Sequence, residues 1–138
     1  MRPIAVFDTN VLFSATAWRG KPFECVELAR AGLVQGLTCP DILLELADKL
    51  RAKTGLSDQD VADAVADLLG FLTSVAIRSQ LRVVAADPDD DKVIACAVDG
   101  HATHIVTGDR RHLLKLRTYE GIVIVSPAEF LLAAVPPD

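Results

Sequence analysis

Short apolar runs alternate with longer helix-patterned segments along the chain, and this alternation limits the fold more than any other feature. IAVFD at 4–8, HIVTGD at 104–109 and GIVIVS at 121–126 have the length and the β-branched content of buried strands. Between them, the segment at 40–53 has apolar residues at the spacing of a helix. Strands that alternate with helices favour a central parallel sheet flanked by helices on both faces. The sequence therefore predicts an α/β protein.

The predicted elements form one series without an internal repeat or a linker, so we expect a single domain over residues 1–138. Strands are predicted at 4–8, near 36–39, at 104–109 and at 121–126, with an edge strand at either 75–77 or 82–85. Helices are predicted at 22–31, 40–53, 57–72, 89–99 and 127–135. Pro22 and Pro40 suit the first turn of a helix. Ser57, with Asp60 three residues later, is an acidic variant of the capping box.

Composition restricts the class of protein. A chain of 138 residues that is 51% hydrophobic can bury one compact aliphatic core. Because it has neither an apolar stretch of the ~20 residues that span a bilayer nor the pattern of a signal peptide, we expect a cytoplasmic protein with no membrane partner. The three cysteines lack a C-x-x-C pair and are interpreted as buried apolar residues. His101, His104 and His112 lack metal-ligand spacing and are interpreted as turn or surface residues.

Two of the predicted strands end in an acidic residue, Asp8 and Asp109. The carboxyl ends of parallel strands lie at one edge of a sheet, where ligands bind near the point at which the strand order reverses. Glu45, in the first turns of one predicted helix, and Asp90, near the start of another, can add two carboxylates. Four like charges in one pocket repel one another unless a cation binds, and carboxylate oxygens suit Mg²⁺ or Mn²⁺. The pattern therefore indicates a metal site.

Four stretches of the sequence resemble the acidic motifs of the PIN-domain ribonucleases, in order and in spacing. They are FDTNVLFSA at 7–15, PDILLEL at 40–46, DPDDDKVIACAV at 87–98 and IVTGDRRHLL at 105–114. The branch most resembled is the small stand-alone one classed as toxins of toxin–antitoxin pairs. The resemblance implies a three-layer PIN-like fold and a metal-dependent endoribonuclease with Mg²⁺ or Mn²⁺ as its cofactor. It further implies RNA as the substrate, a cognate antitoxin as a partner, and self-association as a homodimer.

The resemblance also assigns the site residues. Carried over position by position, the four acids of the family fall on Asp8, Glu45, Asp90 and Asp109, which thereby become the implied catalytic and metal-binding residues. Asn10 matches the polar residue two positions after the first acid, and Thr107 matches the hydroxyl residue two positions before the last. Both are expected to support the site.

The acidic run at 89–91 leaves the third acid ambiguous by one position, because family members often have Asn where this chain has Asp91. Aligning the apolar residues 93–98 with the helix of the family favours Asp90. Asp91 would then point about 100° farther around the helix.

The formal net charge of −5 argues at first against a nucleic-acid partner, since phosphate binding usually depends on a basic surface. The four proposed ligands account for four of these five negative charges, however, so the rest of the chain has a net charge of −1. A dense basic run of Arg110, Arg111, Lys115 and Arg117 follows Asp109. We expect Arg110 and Arg111 to bind the phosphate backbone of the substrate, and a solvated helix face is the alternative.

Two other functions stay open at this point. A phosphatase of the haloacid dehalogenase type also begins with a strand that ends in an aspartate. That chemistry needs an acid two residues after the nucleophile, where this chain has Asn10, and usually another four residues after the last Asp, where it has Leu113. A non-catalytic scaffold with the same fold would be expected to lack one or more of the four acids, yet all four are present. The sequence therefore favours a nuclease.

Overall fold

A mostly parallel sheet forms the centre of the molecule. The computed structural model describes residues 2–78 and 88–134, with side chains from residue 90 onward in the second range. Along the chain the elements are β1 (Ile4–Phe7), α1 (Thr9–Ala17), α2 (Lys21–Arg30), β2 (Gln35–Thr38), α3 (Pro40–Thr54), α4 (Asp58–Leu69), β3 (Thr73–Ser74), α5 (Pro88–Asp99), β4 (His104–Val106), α6 (Leu113–Leu116), β5 (Thr118–Tyr119), β6 (Ile122–Val125) and α7 (Pro127–Ala134). Within these ranges the strand order is β3-β2-β1-β4-β6-β5.

β1 lies in the middle of the sheet and is parallel to both of its neighbours. Val6 is opposite Leu37 of β2 on one side and Ile105 of β4 on the other. β3 pairs in parallel with β2, and β6 pairs in parallel with β4. The predicted parallel sheet is therefore correct for these strands.

The prediction is wrong at one edge, where β5 runs antiparallel to β6. Glu120 and Gly121 form a two-residue connection between these strands, and both have positive φ angles, of 48° and 83°. Positive φ at both positions is typical of the tight turns that join antiparallel strands, and so short a connection leaves no room for a parallel crossover. Glu is not among the usual residues of such a turn, which is why the sequence did not indicate a hairpin.

The strand order reverses between β1 and β4. From β1 the chain moves outward to β2 and β3, then crosses back to β4 and continues to β6. Because parallel crossovers are right-handed, α1 to α4 lie on one face of the sheet, and α5 lies on the other, packed against β1, β2 and β4. α7 contacts α2 and so joins the first face. The three-layer α/β fold implied by the resemblance is confirmed.

Most predicted boundaries lie within two residues of the observed ones. α4 ends at Leu69 and β4 at Val106, each three residues before its predicted end, and β3 lies just before the predicted 75–77. The short helix α6 was not predicted. The alternative edge strand at 82–85, like residue 135 of the last predicted helix, lies outside the described residues. No helix in the described ranges is long and apolar enough to span a membrane.

Helix α1 was not predicted, because TNVLFSATA is rich in β-branched and hydroxyl residues that are weak helix formers. The helix forms because Asp8 caps its first turn and because Val11, Leu12 and Phe13 are buried in the core. The core is mainly aliphatic, as composition predicts, with Phe7 and Phe130 fully buried in it, and it includes the three free cysteines in buried positions.

Candidate active site

Asp8 lies at the junction of β1 and α1 and is only 4% exposed. Its Oδ1 accepts a hydrogen bond from the Val11 amide at 2.8 Å, and its Oδ2 accepts one from the Thr107 hydroxyl. Burial raises the pKa of Asp8, and the nearby Asp109 carboxylate adds to the rise, although the two hydrogen bonds and Lys49 act in the opposite direction. A carboxylate in this position is costly to ionise unless a cation is bound beside it.

Thr107 connects the ends of the two central strands. The residue is fully buried, its hydroxyl donates to Asp8 Oδ2, and its Oγ1 accepts a hydrogen bond from the Asp109 amide at 3.0 Å. One hydroxyl group therefore orients the side chain of one acid and the backbone of the other.

Asp109 lies in a turn after β4. Its carboxylate accepts hydrogen bonds from the amides of Arg111 at 3.1 Å, His112 at 3.2 Å and Leu113 at 3.4 Å. Burial by itself would raise the pKa of Asp109, but a hydrogen bond with Asp90 and these backbone amides outweigh it and hold the pKa below its usual range. The pKa of Asp8 is therefore raised, whereas the pKa of Asp109 is lowered.

Asp90, Asp109 and His112 form a compact group that we call the acidic cluster. One ligand atom from each of the three residues lies within 4.8 Å of the others. His112 Nδ1 is 3.7 Å from Asp90 Oδ2 and 3.4 Å from Asp109 Oδ2. Two carboxylates and an imidazole are donors that a divalent ion accepts, with Mn²⁺ tolerating the nitrogen better than Mg²⁺. Together with the buried Asp8 beside it, this donor set fits the cofactor implied by the resemblance.

The interpretation of the histidines as turn or surface residues is wrong for His104 and incomplete for His112, which does lie in a turn. His112 belongs to the acidic cluster, and the signal that could have found it is its position three residues after Asp109 in a turn. His104 is a partly buried residue of β4 whose ring packs edge-on against Phe130, with 5.4 Å between centroids, and burial lowers its pKa. His101 lies exposed in a turn, as expected.

Glu45 does not meet the other acids directly but binds a lysine. Its carboxylate forms a hydrogen-bonded ion pair with Lys92 Nζ, which joins α3 to α5. The side chains are 36% exposed for Glu45 and 17% for Lys92. No sequence motif pointed to Lys92, although it lies only two residues after Asp90.

Asn10 also binds a lysine. Its side-chain oxygen accepts a hydrogen bond from Lys49 Nζ, which lies 5.5 Å from the centre of the Phe13 ring. Lys49 follows Glu45 by four residues on α3, a spacing that favours a local ion pair. The structure instead joins each of these residues to a partner on another helix.

Arg110 and Arg111 are exposed in the turn between Asp109 and α6. Because α6 begins only at Leu113, the alternative of a solvated helix face is wrong for this pair. The Arg111 amide binds the Asp109 carboxylate, so the side chain of Arg111 begins beside the acidic cluster.

The comparisons with known proteins agree with this architecture. Residues 4–111 match the family model of the PIN domain. The chain therefore belongs to the PIN-domain family, whose nucleases are hydrolases that act on RNA. The family that the four acidic motifs predicted is confirmed, which argues against the haloacid dehalogenase alternative.

The fold is also found in a solved structure. A chain from the crystal structure of VapBC2 from Rickettsia felis, bound to a DNA fragment from their promoter, is similar with a TM-score of 0.62. The similarity covers 89% of this chain and 98% of that chain at 12% sequence identity. No curated protein matches the sequence.

Proposed function

We propose that the protein is an endoribonuclease that depends on Mg²⁺ or Mn²⁺ and acts as the toxin of a toxin–antitoxin pair. The observation that carries the proposal is the acidic cluster next to Asp8, located where the strand order reverses between β1 and β4. Membership of the PIN family supports hydrolysis of RNA. The fold shared with VapBC2 supports the role as a toxin.

Asp8, Glu45, Asp90 and Asp109 are the residues that hold the metal in this proposal, with His112 as a further donor. A divalent ion bound there would supply the positive charge that activates water and stabilises the leaving oxygen of a cleaved phosphodiester. The protein contributes carboxylates that are already held in place before the ion binds. Val11 and Thr107 fix the carboxylate of Asp8, and the backbone amides of residues 111–113 keep Asp109 ionised.

Asp90, rather than Asp91, is the third acid of the proposed site. The support is its position beside two other candidate donors, since a carboxylate oxygen of Asp90 lies within 4.8 Å of a ligand atom of Asp109 and Asp90 Oδ2 lies 3.7 Å from His112 Nδ1. Asn10 and Thr107 are supporting residues in the same proposal. Thr107 acts on Asp8 and on the backbone of Asp109, whereas Asn10 acts by binding Lys49.

Arg110 and Arg111 bind the RNA backbone in this proposal. Both guanidinium groups extend from an exposed turn directly after Asp109, so a phosphate held by them lies close to the acidic cluster. Arginine side chains commonly bind phosphate oxygens and position a nucleic acid without reading its sequence.

A cognate antitoxin, a homodimer and a cytoplasmic location complete the proposal. The antitoxin is supported by the structural neighbour, since VapBC2 is a complex bound to promoter DNA. A small reading frame next to the gene, whose product co-purifies with this chain, is the expected finding. Sedimentation of the purified chain tests the homodimer.

The activity itself is tested with labelled RNA in Mg²⁺, Mn²⁺ or EDTA, comparing the wild type with Asp8→Asn. We expect wild-type cleavage only with metal, and a loss of more than about 100-fold in Asp8→Asn. The expectation rests on metal sites in which changing even an outer-shell partner costs about 10- to 100-fold. Asn keeps the shape and removes a buried charge, so the metal-free variant should unfold at the same or a higher temperature.

Three results would contradict the proposal. Metal-dependent cleavage retained by Asp8→Asn would remove Asp8 from the site. A folded wild type that cuts no RNA with either ion would indicate a non-catalytic scaffold. Hydrolysis of a generic phosphomonoester in place of RNA would indicate a phosphatase.

A further inference from the structure

Lys92, two residues after Asp90 on α5, forms a contact with Glu45 that the proposed metal chemistry leaves unexplained. The Lys92 ammonium group, on α5, donates to Glu45 Oε2, on α3. Lys92 is the more shielded partner, with 17% of its side chain exposed. Removal from water strengthens the attraction between the two charges relative to a pair on an open surface. This ion pair is therefore a defined part of the metal-free protein.

Glu45 has two competing cations if it is also a metal ligand. A carboxylate oxygen that accepts a hydrogen bond from an ammonium group is hindered from giving the same lone pair to a metal ion. The ammonium group and a divalent ion also repel each other at short range. We propose that Lys92 is a positioning residue that acts as an internal counter-ion, from which the Glu45 carboxylate passes to the metal when the ion binds. The inference rests on the proposed function, because it takes Glu45 as a ligand of the metal.

A second lysine, Lys49, lies near Glu45 in the sequence but does not compete with Lys92 for its carboxylate. Lys49 has the helical spacing that favours a pair with Glu45, but its Nζ binds Asn10 instead. Within the described residues, the cation that contacts Glu45 is Lys92, on the same helix as Asp90. Release of Glu45 from Lys92 would therefore free a carboxylate that faces α5, the helix that carries Asp90.

The exchange predicts that removing the lysine strengthens metal binding. Titration calorimetry with Mn²⁺ compares the wild type with Lys92→Met, a neutral side chain of similar length. We expect Lys92→Met to bind Mn²⁺ about three- to tenfold more tightly, the change expected when no ion pair has to be broken. Lys92→Arg keeps the charge and should remain within about twofold of the wild type, since it can still pair with a carboxylate.

Lys53→Met is the matched control for the change in net charge. Lys53 lies on α3, eight residues after Glu45 and so about 12 Å along the helix axis. Solvent and salt screen an exposed charge at this distance, so Lys53→Met should shift Mn²⁺ affinity by less than about twofold.

A double-mutant cycle tests whether Lys92 acts through Glu45. Glu45→Gln should weaken Mn²⁺ binding by itself. In that background Lys92→Met should change the affinity by less than about twofold, because the exchanged carboxylate is gone. Thermal unfolding in EDTA checks that each variant is folded, and Lys92→Gln replaces the Met variant if that one does not fold.

Unchanged or weaker Mn²⁺ binding by folded Lys92→Met would overturn the exchange. Equal tightening with and without Glu45 would also overturn it, since Lys92 would then act as a general charge. If the folded wild type binds no Mn²⁺ at all, the metal-dependent function fails together with this inference. If the wild type binds Mn²⁺ and Lys92→Met does not tighten, only the inference fails.

Discussion

The two sides of the candidate site are held by different means. On the sheet side, Asp8, Thr107 and Asp109 are fixed by backbone amides and by one buried hydroxyl. On the helix side, Glu45 and Asn10 are bound by the ammonium groups of two lysines. Exposure differs accordingly, since Asp8 is almost fully buried whereas Glu45 is 36% exposed.

This difference suggests that the sheet side sets the geometry of the site, whereas the helix side sets its charge. Backbone donors at strand ends cannot move far, so the sheet side has its arrangement before any ligand binds. A lysine side chain has four rotatable carbon units and can leave its partner at little cost. Changes on the sheet side should therefore alter geometry and activity, whereas changes on the helix side should alter the charge balance and metal affinity.

The largest effect is expected at Asp90, which shares the acidic cluster with Asp109 of the sheet side. Asp90→Ala should lower metal-dependent RNA cleavage by more than about 100-fold, because it removes a donor from the acidic cluster. Asp91→Ala is the matched control and should cost less than about tenfold, since the helix directs that side chain elsewhere. Cleavage rates at saturating Mn²⁺ measure both. Equal losses would mean that both acids bind metal.

Thr107 tests how far the sheet side depends on one hydroxyl group. Thr107→Val keeps the shape but leaves Asp8 Oδ2 and the Asp109 amide without this partner. We expect cleavage to fall about 10- to 100-fold and the free energy of unfolding to fall by about 1–2 kcal/mol. Thr107→Ser keeps the hydroxyl and should retain most of the cleavage activity and most of the free energy of unfolding. A Val variant as active as the Ser variant would show that the geometry does not depend on this link.

The exposed arginines next to the sheet side should affect RNA binding but not metal binding. Changing Arg110 and Arg111 together to Ala should weaken RNA binding and reduce the slope of log affinity against log salt by about 1.4, or about 0.7 for each lost contact with a single strand. Affinity is measured over a salt series in Ca²⁺, after checking that Ca²⁺ suppresses cleavage. An unchanged slope would leave the pair as solvated side chains.

The smallest effect is expected for an ion pair that is not part of the candidate site. Arg30 on α2 makes two hydrogen bonds of 2.8 and 2.7 Å to Asp67 on α4, and these hydrogen bonds lower the pKa of Asp67. Because the pKa is lower in the folded state, the stabilisation is present above the ordinary carboxyl value of about 4 and is lost as pH falls through the lowered value.

Asp67→Asn should therefore cost less than about 1 kcal/mol at neutral pH, since the Asp67 side chain is 53% exposed. The difference from the wild type should shrink as the pH falls below about 4. Urea unfolding across pH measures this, and RNA cleavage should not change. A pH-independent difference would show that the pair acts through packing.

Local sequence patterns were enough to predict most helices and strands and the two acids of the sheet side. The periodicity of strands and helices, the prolines at helix starts and the Ser57 cap are signals within a few residues, and they placed most elements correctly. Because parallel strands end at one edge, Asp8 and Asp109 could be expected to meet there. α1 and the β5–β6 hairpin were missed because their residues are unusual for those structures, and the surrounding fold determines them.

The sequence by itself determined which acids the protein carries and that two of them, Asp8 and Asp109, come at the carboxyl ends of predicted strands. The tertiary structure made those two strands neighbours and ended β4 at Val106, three residues before Asp109. Only the tertiary structure decided which partner each acid meets. Glu45 binds Lys92, which is 47 positions away, and not Lys49, which lies one helical turn away. His112 joins Asp90 because a turn after β4 faces the start of α5. Such contacts depend on how helices pack across the sheet, and helix packing results from burial summed over the whole core, which no local spacing encodes.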